Sequence, residues 1–195
     1  MSLKNQLTKS DYLPYDELKK LLRNLHKEEK YIWELYVRIS FCTALRISDV
    51  LSLTWADIIN RTSLTKCEKK TGKVRKIPFS LSTQDRFDEL YALLKRPNPN
   101  ELIFKSKITG KPFTTQYVNR VLKNWKEEYN LKLGNFSSHT FRKTFGRYMY
   151  DKSENKSEAL VLLNSILQHS SIEVTKIYIG LREDEIYSVF GSIMV

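Results

Sequence analysis

Four separated stretches of this 195-residue chain hold side chains suited to work on a phosphate. Arg46 stands three residues before Asp49, His139 stands three before Arg142, and His169 precedes Tyr178 by nine. Between them Lys66, Lys69, Lys70, Lys73, Arg75 and Lys76 crowd a short segment that ends at Pro78. A planar guanidinium offers a fork of donors that matches two phosphate oxygens, and imidazole moves protons near neutral pH. A phenol, with an ordinary pKa of about 10, becomes a nucleophile only as it loses its proton. Each piece also has a plainer reading. Arg46 and Asp49 at i, i+3 suit a helix-surface ion pair, a lone HxxR is common, the lysines suit a solvated turn, and His169 suits a helix end. The histidines and cysteines show neither HExxH nor CxxC spacing and no carboxylates cluster, which argues against a zinc site or a metal-dependent nuclease.

In this order and at these intervals, the four stretches resemble the boxes of the tyrosine recombinases (phage integrase family). Thr43-Ala44-Leu45-Arg46-Ile47-Ser48-Asp49 is similar to the first arginine box, with Ala44 where the family favours Gly. Lys70-Thr71-Gly72-Lys73-Val74-Arg75-Lys76-Ile77-Pro78 resembles the hairpin whose catalytic lysine lies eight positions before a proline, although Lys66, Lys69 and Lys73 compete for that role. His139 to Arg142 matches the HxxR box. Ile166 to Tyr178 follows the Leu-Gly-His stretch that ends on the nucleophile, with Gln168 in place of Gly.

The resemblance covers residues 12 to 182 and implies a mainly α fold with a small antiparallel β-sheet, the tyrosine recombinase catalytic domain. It implies a site-specific recombinase or integrase that cuts and rejoins double-stranded DNA through a 3′-phosphotyrosyl intermediate, without cofactor, metal or small-molecule substrate. Arg46 and Arg142 are then the clamp on the nonbridging oxygens, with His139 and His169 adding hydrogen bonds. Tyr178 is the nucleophile, His139 the favoured acceptor of its proton, and Lys70 the acid that protonates the departing 5′ oxygen. Asp49 is expected to orient Arg46. Lys66, Lys69, Lys73, Arg75 and Lys76 are expected on backbone phosphates. A type IB topoisomerase and a catalytically silent DNA-binding regulator are the alternatives on the same residues.

The elements that must position these groups are legible in outline. Leu18, Leu21, Leu22 and Leu25 recur at helical spacing after Pro14 and Asp16, and a richly apolar helix follows over Tyr31 to Leu45. Ile47 to Leu53 reads as a short helix, and Trp55 to Thr65 turns toward strand. Leu64 to Phe79 reads as a β-hairpin in which Gly72 can take positive φ without steric cost. Helices are expected over Leu81 to Leu94, Thr114 to Tyr129, Ser137 to Tyr150, and from the 151–157 loop through Leu167.

Thirty-three Lys and Arg against 22 Asp and Glu give a formal net charge of +11, which suits a polyanionic partner. Cys42 and Cys67 sit in core-like and strand-like segments, so a disulfide framework is not expected and a reducing cytoplasm fits. No stretch approaches the roughly 18 uncharged residues of a membrane span. Residues 1–12 read as a leader or linker remnant, 13–182 as the catalytic domain and 183–195 as a C-terminal tail helix. The family's usual helical core-binding domain is not expected in the few residues before Leu13. Ile186, Val189, Phe190 and Ile193 form one apolar stripe in the tail. The resemblance implies that the tail docks on a neighbouring protomer bound to DNA; folding back onto its own core is the alternative.

Overall fold

The computed structural model describes residues 10–181, 187, 188 and 190–192. Along the chain run α1 (Tyr15–Lys27), α2 (Tyr31–Thr43), α3 (Ile47–Val50), β1 (Ser63–Cys67), β2 (Val74–Pro78), α4 (Leu81–Leu93), α5 (Thr115–Glu128), α6 (Thr140–Lys152), α7 (Lys156–Leu167) and α8 (Ile172–Tyr178). The mainly helical architecture with one small antiparallel sheet is as the sequence predicts.

α2 is the axis of the main core. Its Leu35, Tyr36, Val37 and Ile39 are fully buried, and α1 covers it with Leu18, Leu21 and Leu25. The Tyr36 ring meets Phe104 and Phe141 edge-on at centroid distances of 5.6 and 6.1 Å, which ties α2 to α6. A second, smaller cluster joins Ala44 to Leu160, Leu163, Leu167, Ile179 and Leu181, with Tyr178 packed against it. Gly146 of α6 belongs to this contact: a Cβ there would sit 2.7 Å from Ile179 Cγ2, so the missing side chain lets the end of α8 lie close on α6.

β1 and β2 pair from Ser63 opposite Pro78 to Cys67 opposite Val74, and Gly72 at the tip has φ +66°. α2 ends at Thr43 rather than Leu45 and α3 at Val50 rather than Leu53, and two further boundaries differ from the sequence reading. Trp55–Asp57 is a 3-10 turn rather than strand, because Asp57 Oδ2 accepts both the Thr54 amide at 2.8 Å and its hydroxyl at 3.0 Å. α6 begins at Thr140 rather than Ser137, whose amide is already held by Thr140 Oγ1 at 3.1 Å. The segment before α1 lies along α6: Ser10 Oγ meets Thr140 Oγ1 at 2.8 Å and the Leu13 amide donates to Thr144 Oγ1 at 2.8 Å. Asp11 Oδ2 accepts the amides of Gly134 and Asn135 at 2.7 and 2.9 Å.

Ile186, Val189 and Ile193 of the tail stripe lie outside the described residues, as does the stretch 182–186. Phe190, which a tail folded onto its own core would bury, is 69% exposed, and Tyr187 is 76% exposed. Among the described residues no helix is long and apolar enough to cross a membrane.

α2 and α7 end alike, on a left-handed residue: Ala44 with φ 49° and Gln168 with φ 51°. These are the two positions where the sequence departs from Gly, and the backbone shows why Gly suits them. Left-handed strain of about 1–2 kcal/mol for an L-residue outweighs the roughly 0.4–1 kcal/mol of chain entropy that a glycine adds to the unfolded state. Ala44→Gly and Gln168→Gly should therefore each raise stability by about 0.5–1 kcal/mol, read as a higher urea midpoint at constant slope. A lower midpoint would show that side-chain contacts at these caps outweigh the backbone strain.

Candidate active site

Arg142, on the first turn of α6, is only 4% exposed and has no carboxylate partner among the described residues. Its Nη1 donates to the carbonyl of Ala44 and its Nη2 to the carbonyl of Leu167 at 2.6 Å. Both acceptors lie at helix C-termini, those of α2 and α7, where carbonyls point outward and the macrodipole is negative. The guanidinium is thus hydrogen-bonded on one side while its full charge stays uncancelled. Burial, countered in part by Tyr178 and Glu68 and reinforced by Arg46 and Arg75, holds its pKa below the usual arginine value.

Arg46 caps α3, and the carboxylate against it belongs to Glu68, not to Asp49 as expected. Glu68 is fully buried; one oxygen pairs with Arg46 Nη1 and the other takes Arg75 Nη1 at 2.8 Å. Asp49 is also fully buried, and its Oδ1 accepts the Lys69 amide at 2.9 Å, so it fixes the hairpin backbone instead of the arginine. The expectation for Arg75 is corrected as well. Its other nitrogen donates to the Thr43 carbonyl at 3.2 Å and its side chain is 15% exposed, which turns it inward from any backbone phosphate. Lys66 bends back to the Ser52 carbonyl at 3.2 Å, whereas Lys69, Lys73 and Lys76 are exposed. Glu68 is the functional residue missed from sequence. A lone Glu at the end of a lysine-rich strand has the look of a solvated surface charge, and only folding brings two arginines onto it.

Lys70 is exposed in the turn between β1 and β2. Its charge reaches His139: desolvation, then Arg142, Lys143, Arg46 and Lys70, push the His139 pKa down, although part of this ring faces solvent. His139, Arg46, Arg142 and Lys70 therefore lie in one electrostatic neighbourhood.

His169 follows the left-handed turn of α7. Its Nδ1 lies 3.0 Å from Thr175 Oγ1, and its ring meets Tyr178 edge-on with centroids 4.7 Å apart. Desolvation, then Arg142 and Arg46, push its pKa down to about 4, so the ring is neutral at pH 7. Tyr178 closes α8, with Lys143 Nζ 5.2 Å from its ring centroid. Its Oη is buried and makes no aligned hydrogen bond, although Arg142 is near enough to act on its charge. Burial raises the Tyr178 pKa above that of free phenol and outweighs the lowering by Arg142 and Arg46, so the resting group is a neutral phenol. Arg46, Arg142, His139, His169 and Tyr178 are thus brought together within one chain, and Lys70 lies within electrostatic reach of His139. Among the described residues no His, Cys, Asp and Glu cluster is arranged to hold a metal ion.

The phage integrase family model matches residues 11–185. A probable integrase/recombinase of Bacillus subtilis, YoeC, is 35% identical over 180 residues, covering 91% of this chain and 92% of that protein. Tyrosine recombinase XerH of Campylobacter jejuni is 25% identical over 187 residues, 90% of this chain and 50% of that protein. The chain therefore spans nearly all of the first relative and about half of the second. In fold it is similar to XerA recombinase, with a TM-score of 0.71 at 19% identity over 92% of this chain and 64% of that one. It is also similar to XerH captured on difH DNA before cleavage, with a TM-score of 0.67 at 21% identity over 92% of this chain and 53% of that one.

Burial and, after it, the cationic surroundings have a measurable consequence at His169. Its folded pKa of about 4 lies below the ordinary imidazole value of 6.5, so the unfolded chain binds the extra proton first as pH falls. Stability owed to the neutral ring is present above pH 6.5 and is lost progressively toward pH 4. In an imidazole NMR titration His169 should keep its neutral chemical shift well below pH 6, and His169→Asn should show a shallower loss of stability across that window. A midpoint near 6.5 would mean that neither burial nor the arginines act on this ring.

Proposed function

Because the chain belongs to the phage integrase family of tyrosine-type site-specific recombinases, we propose that it cleaves and rejoins double-stranded DNA through a covalent 3′-phosphotyrosyl link to Tyr178. The observation that carries this reading is the buried phenol of Tyr178 beside Arg142 and His169 of its own chain, which supports cleavage in cis.

Arg142 and Arg46 each present guanidinium donors in a region of uncancelled positive charge. A phosphodiester in this region places its nonbridging oxygens against both forks, and the charge that grows on them in the pentacoordinate transition state is stabilised. Tyr178 Oη bonds to phosphorus as the bond to the 5′ oxygen breaks. Its proton must leave during attack, since burial disfavours a resting phenolate, and neutral His139 is the favoured acceptor. Lys70, on the hairpin tip, protonates the departing 5′ oxygen. One phosphodiester is exchanged for another, so the bond energy is retained and no nucleotide or metal cofactor is needed. Attack on the phosphotyrosyl link by a 5′ hydroxyl from a second duplex completes strand exchange, which separates this activity from supercoil relaxation.

Lys69, Lys73 and Lys76 are the hairpin side chains free to meet backbone phosphates, and a net charge of +11 supports the same partner. The exposed Tyr187 and Phe190 support a tail that docks on a neighbouring protomer assembled on DNA. Residues 13–182 carry the reaction in this reading, with the cytoplasm as the place of action.

Incubation with nicked suicide DNA should give a covalent adduct on a denaturing gel, and Tyr178→Phe should abolish it while leaving DNA binding nearly unchanged. An adduct that survives the substitution would assign the nucleophile elsewhere, and none from the wild type would count against the activity. Lys70→Ala should slow cleavage of the ordinary 5′ oxygen by about 100-fold or more, yet cut a 5′-bridging phosphorothiolate at close to the wild-type rate, because sulfur leaves without a proton. Equal defects on the two substrates would remove Lys70 as the acid.

A further inference from the structure

Thr175 is a fully buried threonine on α8, one helical turn before Tyr178, and the mechanism above gives it no task. Three groups surround its hydroxyl: His169 Nδ1 at 3.0 Å, Asn164 Oδ1 of α7 at 2.9 Å and the Ser171 carbonyl at 3.4 Å. The hydroxyl owns a single proton. Asn164 Oδ1 and the Ser171 carbonyl can only accept, so the proton goes to one of them, Asn164 being nearer. His169 Nδ1 can be donor or acceptor, depending on tautomer. The arrangement that satisfies every atom has Thr175 donating to Asn164 while Nδ1–H donates to Thr175.

The geometry points to Asn164 and Thr175 as positioning residues that lock His169 in its Nδ1–H tautomer, leaving Nε2 as a bare acceptor on the ring that packs against Tyr178. This rests on the recombinase reading only for its consequence, because the tautomer is a property of the folded chain alone. A bare Nε2 cannot donate a hydrogen bond to a phosphate until it has taken up a proton. His169 in this tautomer therefore accepts rather than donates until solvent protonates Nε2, while the Tyr178 proton goes to His139 as above. The depressed basicity of the ring agrees with this, since burial and then Arg142 and Arg46 favour its neutral form. Ser171 supports the arrangement from outside: its hydroxyl caps α8 by accepting the Val174 amide at 3.2 Å, which fixes the turn that presents Thr175.

Nitrogen-15 NMR of the full chain without DNA reads the tautomer directly, since protonated and bare ring nitrogens resonate far apart. The wild type should show His169 with Nδ1 protonated and Nε2 bare at neutral pH. Thr175→Val, nearly isosteric and without the hydroxyl, should lose that pattern, and Thr175→Ser should keep it. Asn164→Asp, which can accept but not donate, should also keep it and raise the ring's titration midpoint. A wild-type ring protonated on Nε2, an unchanged pattern in Thr175→Val, or a tautomer reversed by Asn164→Asp would each overturn the relay.

In the suicide-DNA assay Thr175→Val should form adduct about 10- to 100-fold more slowly, the range seen when the partner that fixes an imidazole is removed, with Thr175→Ser restoring most of the rate. A Thr175→Val variant as fast as the wild type would overturn the positioning role. A wild type that has the expected tautomer yet forms no adduct would sink the recombinase reading and leave the relay standing.

Discussion

A positive charge buried without a carboxylate partner among the described residues is the constraint around which the rest of this structure is arranged. Arg142 is 4% exposed, and an unpaired guanidinium at that depth is costly unless its donors are satisfied. The fold meets the requirement with backbone: the C-terminal carbonyls of α2 and α7 converge on its two nitrogens. Helix dipoles stabilise the charge without cancelling it, as a neighbouring Asp or Glu would. Those two helices must end just there, hence the left-handed residues at 44 and 168. Burial, and with it the same field, lowers the pKa of His139 and His169. A site built this way carries net positive charge, which suits the anionic substrate proposed above.

Arg46 is handled in the opposite manner, and the contrast has a use. Its partner Glu68 lies where β1 runs into the hairpin tip, two residues before Lys70, and Glu68 also grips Arg75 of β2. Asp49, next to the same arginine in sequence, holds the Lys69 amide. The clamp and the strand that carries the proposed acid are thus one bonded unit. A shift of the hairpin relative to α3 is resisted by two buried carboxylates, while Lys70 itself stays exposed and free to swing.

How much of this was legible in the sequence depends on how local each signal was. Helices announced by apolar spacing, such as Leu18, Leu21 and Leu25 in α1, lie where expected, and so does the turn at Gly72. The six residues proposed for the chemistry were visible through their types and order, and folding brings five of them together with Lys70 within electrostatic reach of His139. What sequence could not supply was partnership across the fold. Asp49 was given to Arg46 on the strength of three-residue spacing, but α3 starts at Ile47 and leaves Arg46 as its extended cap, so the helical geometry that would pair them does not exist. Arg75 counted as one more surface cation until Glu68 and the Thr43 carbonyl appeared beside it. Thr175 and Asn164 carried no signal, because a threonine eleven residues from an asparagine means nothing before α7 and α8 are folded against each other.

The strap from Ser10 to Leu13 is easily passed over, since it holds none of the reacting groups. It is fastened to α6 at Thr140 and again at Thr144, either side of Arg142, and fixed by Asp11 to the loop that leads into that helix. Mechanically it is a lever laid along the helix that bears the clamp. His139 and Arg142 sit on the same first turn of α6, so whatever displaced the strap at Ser10 would have to break or carry with it the two threonine hydroxyls that flank Arg142.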